Sequence, residues 1–219
     1  MQIPIWLDLL AVVPSALAGA LVAARARFDL TGIFGVGLLS GIGGGILRDL
    51  LLNQLPVAFK SPWYIATALA CALVIALTAR RIERYLWLVV FLDAAALGLY
   101  GVTGVNKGLI NGLVVLPAVV LGLVAATGGS VLRDLTLSRP PEIFQRGQLY
   151  ATAALAGVLT YVVLFKLGVE ETVTALVAAG VTFAVRIAAW RLNIRLPRAM
   201  DVPGAIAGRV GDSGADRKA

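Results

Sequence analysis

Two copies of one tract constrain this chain more than any other feature. Gly43-Gly44-Gly45-Ile46-Leu47-Arg48-Asp49-Leu50 returns as Gly128-Gly129-Ser130-Val131-Leu132-Arg133-Asp134-Leu135, 85 residues later (128 − 43). Both copies lie inside long apolar stretches. Glycine costs a helix roughly 1 kcal/mol per residue relative to alanine, so three small residues in a row predict a break. An arginine and an aspartate follow each predicted break at once, in a solvent where charge is expensive.

The same register holds outside the tract. Leu7-Asp8 matches Leu92-Asp93, Gly19 matches Gly104, and Gly37 matches Gly122. Further on, Pro56 matches Pro141, Phe59 matches Phe144, and Ala66-Thr67 matches Ala151-Thr152, with no gap. The chain therefore reads as a duplication. Of 219 residues, 59% are hydrophobic and 14% charged, which exceeds the apolar surface a water-soluble domain of this length can hide. The implied solvent is a bilayer. Seven segments approach the roughly 20 apolar residues a crossing helix needs, near 5–24, 32–53, 62–79, 86–105, 112–137, 149–166 and 171–191. The expected fold class is an all-α integral membrane protein. Residues 1–84 and 85–168 form two three-helix repeats, 169–196 carry a seventh helix, and 197–219 form a flexible cytoplasmic tail. Three crossings is an odd number, so the second repeat enters from the opposite side, as an inverted pair.

Basic residues set the expected orientation. Arg25, Arg27, Arg80, Arg81, Arg84, Arg139, Arg146, Arg191, Arg195 and Arg198 fall on one side, against Lys60, Lys107 and Lys166 on the other. The arginine-rich side is expected in the cytoplasm together with the C-terminus, and the N-terminus outside. This reading also accounts for the basic balance without a nucleic-acid partner. Asp8 and the lack of a basic start make the first segment a span rather than a signal peptide. The one cysteine, Cys71, allows no intramolecular disulfide.

Irregular backbone at membrane depth persists where it is buried in protein or faces a water-filled cavity. Breaks at Gly43, Gly44, Gly45 and at Gly128, Gly129, Ser130 would expose carbonyls to cations and amides to anions, and by symmetry they should meet. The plainer reading is packing, since Gly37, Gly41 and Gly45 recur at a spacing that lets helices approach closely. Neighbouring helix residues point about 100° apart, so Arg48 and Asp49, like Arg133 and Asp134, are expected to pair with different helices. Asp8 and Asp93 are the candidate partners. These charges read either as structural ion pairs or as the wall of a polar pathway. Lys107, at the end of the fourth span, reads as an interfacial lysine or as a charge at a pathway mouth. Ser40, Thr127 and Ser130 offer hydroxyl ligands, although such groups in membrane helices often bond their own backbone. Arg186 is expected to snorkel to the headgroups. Trp63, Tyr64 and Trp87 fit an aromatic belt.

With no histidine, no nucleophile elbow and no Walker loop, the sequence points away from an enzyme. The paired tracts, each followed by a proline and a phenylalanine, resemble the trimeric intracellular cation channel (TRIC) family, and more closely its prokaryotic branch, whose duplicated domain is also labelled glycine-transporter-like. Phe91-Leu92-Asp93-Ala94 and Gly104-Val105-Asn106-Lys107-Gly108 are similar to that branch's fourth span. The resemblance covers about residues 5–191. It implies a homotrimer in which each protomer holds its own hourglass pore, lined by broken spans 2 and 5 and passing K⁺ and Na⁺. It implies no resident cofactor, with transported cations and membrane lipid as partners, and a bacterial inner membrane. Inverted repeats with broken helices equally suit a secondary transporter of a small amino acid such as glycine. A lipid-binding or structural membrane protein without flux is the third class.

Overall fold

A computed structural model describes residues 5–82, 84–145 and 149–194. The described residues are helical: α1 (Ile5–Arg25), α2 (Leu30–Leu51), the short α3 (Val57–Lys60), α4 (Pro62–Ile82), α5 (Leu86–Ile110), α6 (Val115–Thr136), a 3₁₀ turn (Glu142–Phe144), α7 (Tyr150–Lys166) and α8 (Glu171–Arg191). Six of them are long and apolar enough to cross a membrane, and α7 is a shorter apolar helix. The seven expected spans are thus present, with α5 running further than its expected end at 105. The expected tail at 197–219, together with Arg146, Arg195 and Arg198, lies outside the described residues.

The 85-residue register reappears in the backbone. Asn53 and Ser138 are both left-handed, at φ 54° and 52°, as are Arg27 at 61° and Gly112 at 84°. The caps Leu52 and Leu137 share φ −86° and ψ 6°. Behind each cap, the amides of Gln54 and Arg139 donate to the carbonyls of Asp49 and Asp134. Identical turn chemistry ends both helices, so each feeds the following Pro-led turn (Pro56, Pro141) at the same angle.

The expected helix breaks are not found. α2 and α6 run as unbroken α-helix through Gly43-Gly44-Gly45 and Gly128-Gly129-Ser130. What the glycines provide is proximity. A Cβ on Gly44 would sit 2.3 Å from the carbonyl oxygen of Ala125, and one on Gly129 would sit 2.3 Å from that of Ser40. Leu132 and Leu47 close over Gly43 and Gly128 in the same reciprocal way. The two tracts therefore do meet, backbone against backbone, and the packing reading wins for them. Helices in lipid gain little from burying apolar side chains, so close van der Waals contact between small residues takes over that role.

The core divides around this crossing. One cluster joins Leu7, Val102, Val105, Val158 and Tyr161. Another joins Ala11, Val12, Ile42, Tyr64 and Tyr100. Large apolar side chains on α4, α6 and α8, such as Leu77, Leu116 and Leu176, stay exposed, as suits lipid-facing surface.

Candidate functional site

Two buried charge clusters flank the glycine crossing, one from each repeat. In the first, α2 carries Arg48, which is 1% exposed. All three nitrogens of its guanidinium are hydrogen-bonded. Nη1 donates to Asp8 Oδ1 at 2.7 Å and Nη2 to Asp8 Oδ2 at 3.2 Å, while Nε donates to Asp49 Oδ1 at 2.8 Å. Nη1 also reaches Thr103 Oγ1 on α5 at 3.1 Å. The fork of Arg48 thus takes Asp8 of α1 bidentately, a geometry lysine cannot reproduce. Asp8 was correctly singled out as a partner. Arg48 and Asp49 do pair with different helices, Arg48 with Asp8 of α1 and Asp49 with Lys107 of α5, but they also face one spot, because the long arginine side chain curls back and bonds its own neighbour.

Asp49 does three things at once. Its Oδ1 takes Arg48 and also Lys107 Nζ at 3.0 Å, and its Oδ2 accepts from the Val57 amide at 2.9 Å. The last bond anchors the turn that opens α3. Lys107 therefore reaches from α5 into this cluster with a side chain 22% exposed, rather than extending to the headgroups. Sequence reasoning missed two tyrosines here. Tyr64, read as a belt residue, is buried and donates to Asp8 Oδ2 at 3.3 Å. Tyr100 donates to the Gly41 carbonyl. Trp63 and Trp87 do remain exposed. Asp8, Ile42, Gly45, Arg48, Asp49, Tyr64 and Tyr100 line a small crevice with about 220 Å³ of empty space, part of it continuous with the outside.

The second cluster repeats the plan with a change. Arg133 on α6 donates from Nη1 to Asp93 Oδ1 at 3.0 Å and from Nε to Asp134 Oδ1 at 2.9 Å. Asp134 Oδ2 accepts from the Glu142 amide at 3.0 Å, as Asp49 does from Val57. Asp93 is thus Arg133's partner, as expected. The change is Glu142, whose carboxylate approaches Arg133 Nη2 at 3.8 Å and bonds Arg186 of α8. Arg186 does not snorkel. It is 2% exposed, with its guanidinium 4.8 Å over the Tyr150 ring. The partly exposed Glu142 carboxylate and an aromatic face replace the headgroups the sequence reading offered it.

The hydroxyl candidates are engaged within the protein. Thr127 Oγ1 donates to the Leu123 carbonyl at 2.8 Å, and Ser130 Oγ donates to the Thr127 carbonyl while accepting from Tyr150. Ser40 lies beside Ser15, with their hydroxyls 3.5 Å apart. Ser130, the departure from the first tract's Gly45, is therefore an anchor for Tyr150.

The family model described as "Glycine transporter" matches residues 5–80 and 90–166. A UPF0126 membrane protein of Deinococcus radiodurans is 39% identical over 154 residues, covering 69% of this chain and 72% of that protein. The UPF0126 inner membrane protein YadS of Escherichia coli is 30% identical over 195 residues, covering 88% and 94%. Among solved structures, the TRIC trimeric intracellular cation channel orthologue from Rhodobacter sphaeroides superposes with a TM-score of 0.81 at 31% identity, over 87% of this chain and 98% of that one. A TRIC cation channel solved to explain conductance gives 0.80 at 30% identity, over 90% and 97%. The helices, the relatives and the superpositions agree on a multi-pass membrane protein. Matched over most of its length by that family model and by these channels, the chain belongs to the prokaryotic TRIC family.

Proposed function

We propose that this protein is a monovalent cation channel, passing K⁺ and Na⁺ through an hourglass path inside each protomer of a homotrimer. The observation that carries the reading is the pair of buried Arg-Asp clusters, one on each side of the α2–α6 crossing, in a chain that superposes on cation channels. Bare arginines beside a cation path would repel the ions. Here each is neutralised: Arg48 by Asp8 and Asp49, Arg133 by Asp93 and Asp134. The crevice beside Arg48 is the mouth of the path in this reading, with Lys107 as the gating or lipid-binding charge at its rim. The path runs along the contact of α2 and α6, and the two repeats are inverted. The arginine-rich ends and the C-terminus face the cytoplasm of a bacterium, the N-terminus faces outward, and the protein sits in the inner membrane.

The test is purified protein in a planar bilayer under asymmetric KCl. Discrete openings that reverse near the K⁺ equilibrium potential are expected. A second reading, transport of a small amino acid, rests on the duplicated three-helix repeats, which suit alternating access as well. A silent bilayer from folded protein, with saturable glycine uptake in liposomes, would replace the channel by that reading.

A further inference from the structure

The two charge clusters differ in a way that the duplication makes plain. In the first, Asp8 occupies both terminal nitrogens of the Arg48 guanidinium, and both of its oxygens are bonded. In the second, Asp93 holds only Nη1 of Arg133, and Glu142 stands at Nη2. Three carboxylates thus surround one guanidinium, with Asp134 on Nε. Asp93 Oδ2 is left buried with no hydrogen-bond partner, in a residue 6% exposed. Nη1 and Nη2 belong to one small planar group, so Asp93 and Glu142 face the same guanidinium.

The charges do not balance either. Among the described residues the first cluster pairs Asp8 and Asp49 with Arg48 and Lys107. The second sets Asp93 of α5, Asp134 of α6 and Glu142 against Arg133 of α6 and Arg186 of α8, with Tyr150 of α7 as the neutral neighbour. Among the described residues one negative charge is in excess, beside the end of α6 where Asp93 and Asp134 are buried and an uncompensated charge is costly. Among the described residues no three such side chains converge closely enough to hold a metal ion.

We propose that the second cluster is a proton-binding site, in which Asp93 and Glu142, facing one guanidinium, share one proton. In this proposal the proton belongs to the two carboxyl groups jointly and is assigned to neither alone. It supplies the donor that Asp93 Oδ2 otherwise lacks and offsets the excess charge counted around Arg133. Independently, burial and the neighbouring Asp93 charge push the Glu142 carboxyl above its ordinary range, ahead of the opposing pull of Arg186 and Arg133. Because Glu142 also holds Arg186, loss of the proton alters the tie between α8 and the second repeat.

The sign follows from linkage. A carboxyl whose folded-state pKa is raised binds its proton more tightly folded than unfolded, so stability falls as pH rises from the unfolded pKa through the folded one. The experiment is the thermal unfolding midpoint of the detergent-purified full chain from about pH 4.5 to about pH 8, a range that starts at the ordinary glutamate pKa. It is run on wild type, Glu142→Gln and Asp93→Asn, in KCl and in N-methylglucamine chloride. Wild type is expected to lose stability across this range by a step that both variants lack, in either salt. The slope, and not the absolute midpoint, is the readout, because removing an ion-pair partner shifts the midpoint by itself. Each variant tests the pair alone should the other fail to fold. Parallel curves for wild type and a folded variant would overturn the proposal. So would a step that vanishes in N-methylglucamine and is present in KCl, which assigns the excess charge to a bound metal cation.

Discussion

Gly44 offers the sharpest test of what the glycine tract is for. Placing a methyl group there brings it 2.3 Å from the Ala125 carbonyl oxygen, about 1 Å inside ordinary contact, and the obstacle is backbone with no rotamer to turn away. Overpacking of this kind costs about 1–3 kcal/mol, while alanine returns up to about 1 kcal/mol in helix propensity. Gly35→Ala on the same helix is the control, since nothing lies within 4 Å of its new methyl. It keeps the propensity gain without the clash. The expected order of unfolding midpoints in detergent is Gly35→Ala at or above wild type, with Gly44→Ala below it. Gly129→Ala meets the reciprocal obstacle, the Ser40 carbonyl, and should fall by a similar amount. The two sites share one contact, so Gly44→Ala with Gly129→Ala should cost less than the sum of the single changes. Gly44→Ala as stable as Gly35→Ala would refute the close-packing account and reopen the helix-break reading.

Arg48→Ala leaves the carboxylates of Asp8 and Asp49 buried together, which costs about 3–5 kcal/mol. A drop in the unfolding midpoint and altered unitary currents are expected. Arg48→Lys should recover only part of the loss, because an ammonium cannot span both Asp8 oxygens, and full recovery would show that the fork is unimportant. Lys107→Met should shift conductance or open probability in planar bilayers with a smaller stability change, since Asp49 keeps Arg48 and the Val57 amide. Wild-type currents from the folded Lys107→Met channel would remove Lys107 from the path.

Much of this arrangement was legible in the sequence because duplication supplied a second measurement of every residue. The matches Asp8 with Asp93 and Arg48 with Arg133 located both ion-pair partners before any geometry was known. The glycine tracts were found for the right reason, as sites of special backbone, but given the wrong consequence. Propensity measured in water predicts a break, whereas a second helix pressed against Gly44 holds α2 continuous. The Arg48–Asp49 pair was missed because angular spacing on a helix describes Cβ directions, and arginine reaches well beyond its Cβ. Glu142, Arg186 and Tyr64 were the least visible. None has a like residue at the matching position of the other repeat, since Val57 stands opposite Glu142 and Leu149 opposite Tyr64. Repeat symmetry, the strongest signal in the chain, is silent about residues that break it.

The double duty of Asp49 has a mechanical meaning. One oxygen restrains a side chain on α2 while the other fastens the start of the next segment through Val57, and Asp134 does the same for Glu142. Each carboxylate is therefore a shared fastener between a guanidinium and a stretch of chain at the end of a helix. Swinging Asp49 away from Arg48 Nε also unpins the turn after Pro56, and lifting that turn loosens the Asp49 grip on Nε, while Asp8 keeps the terminal nitrogens. Charge rearrangement in the interior and movement of the surface turn thus form a single event, reachable from either end.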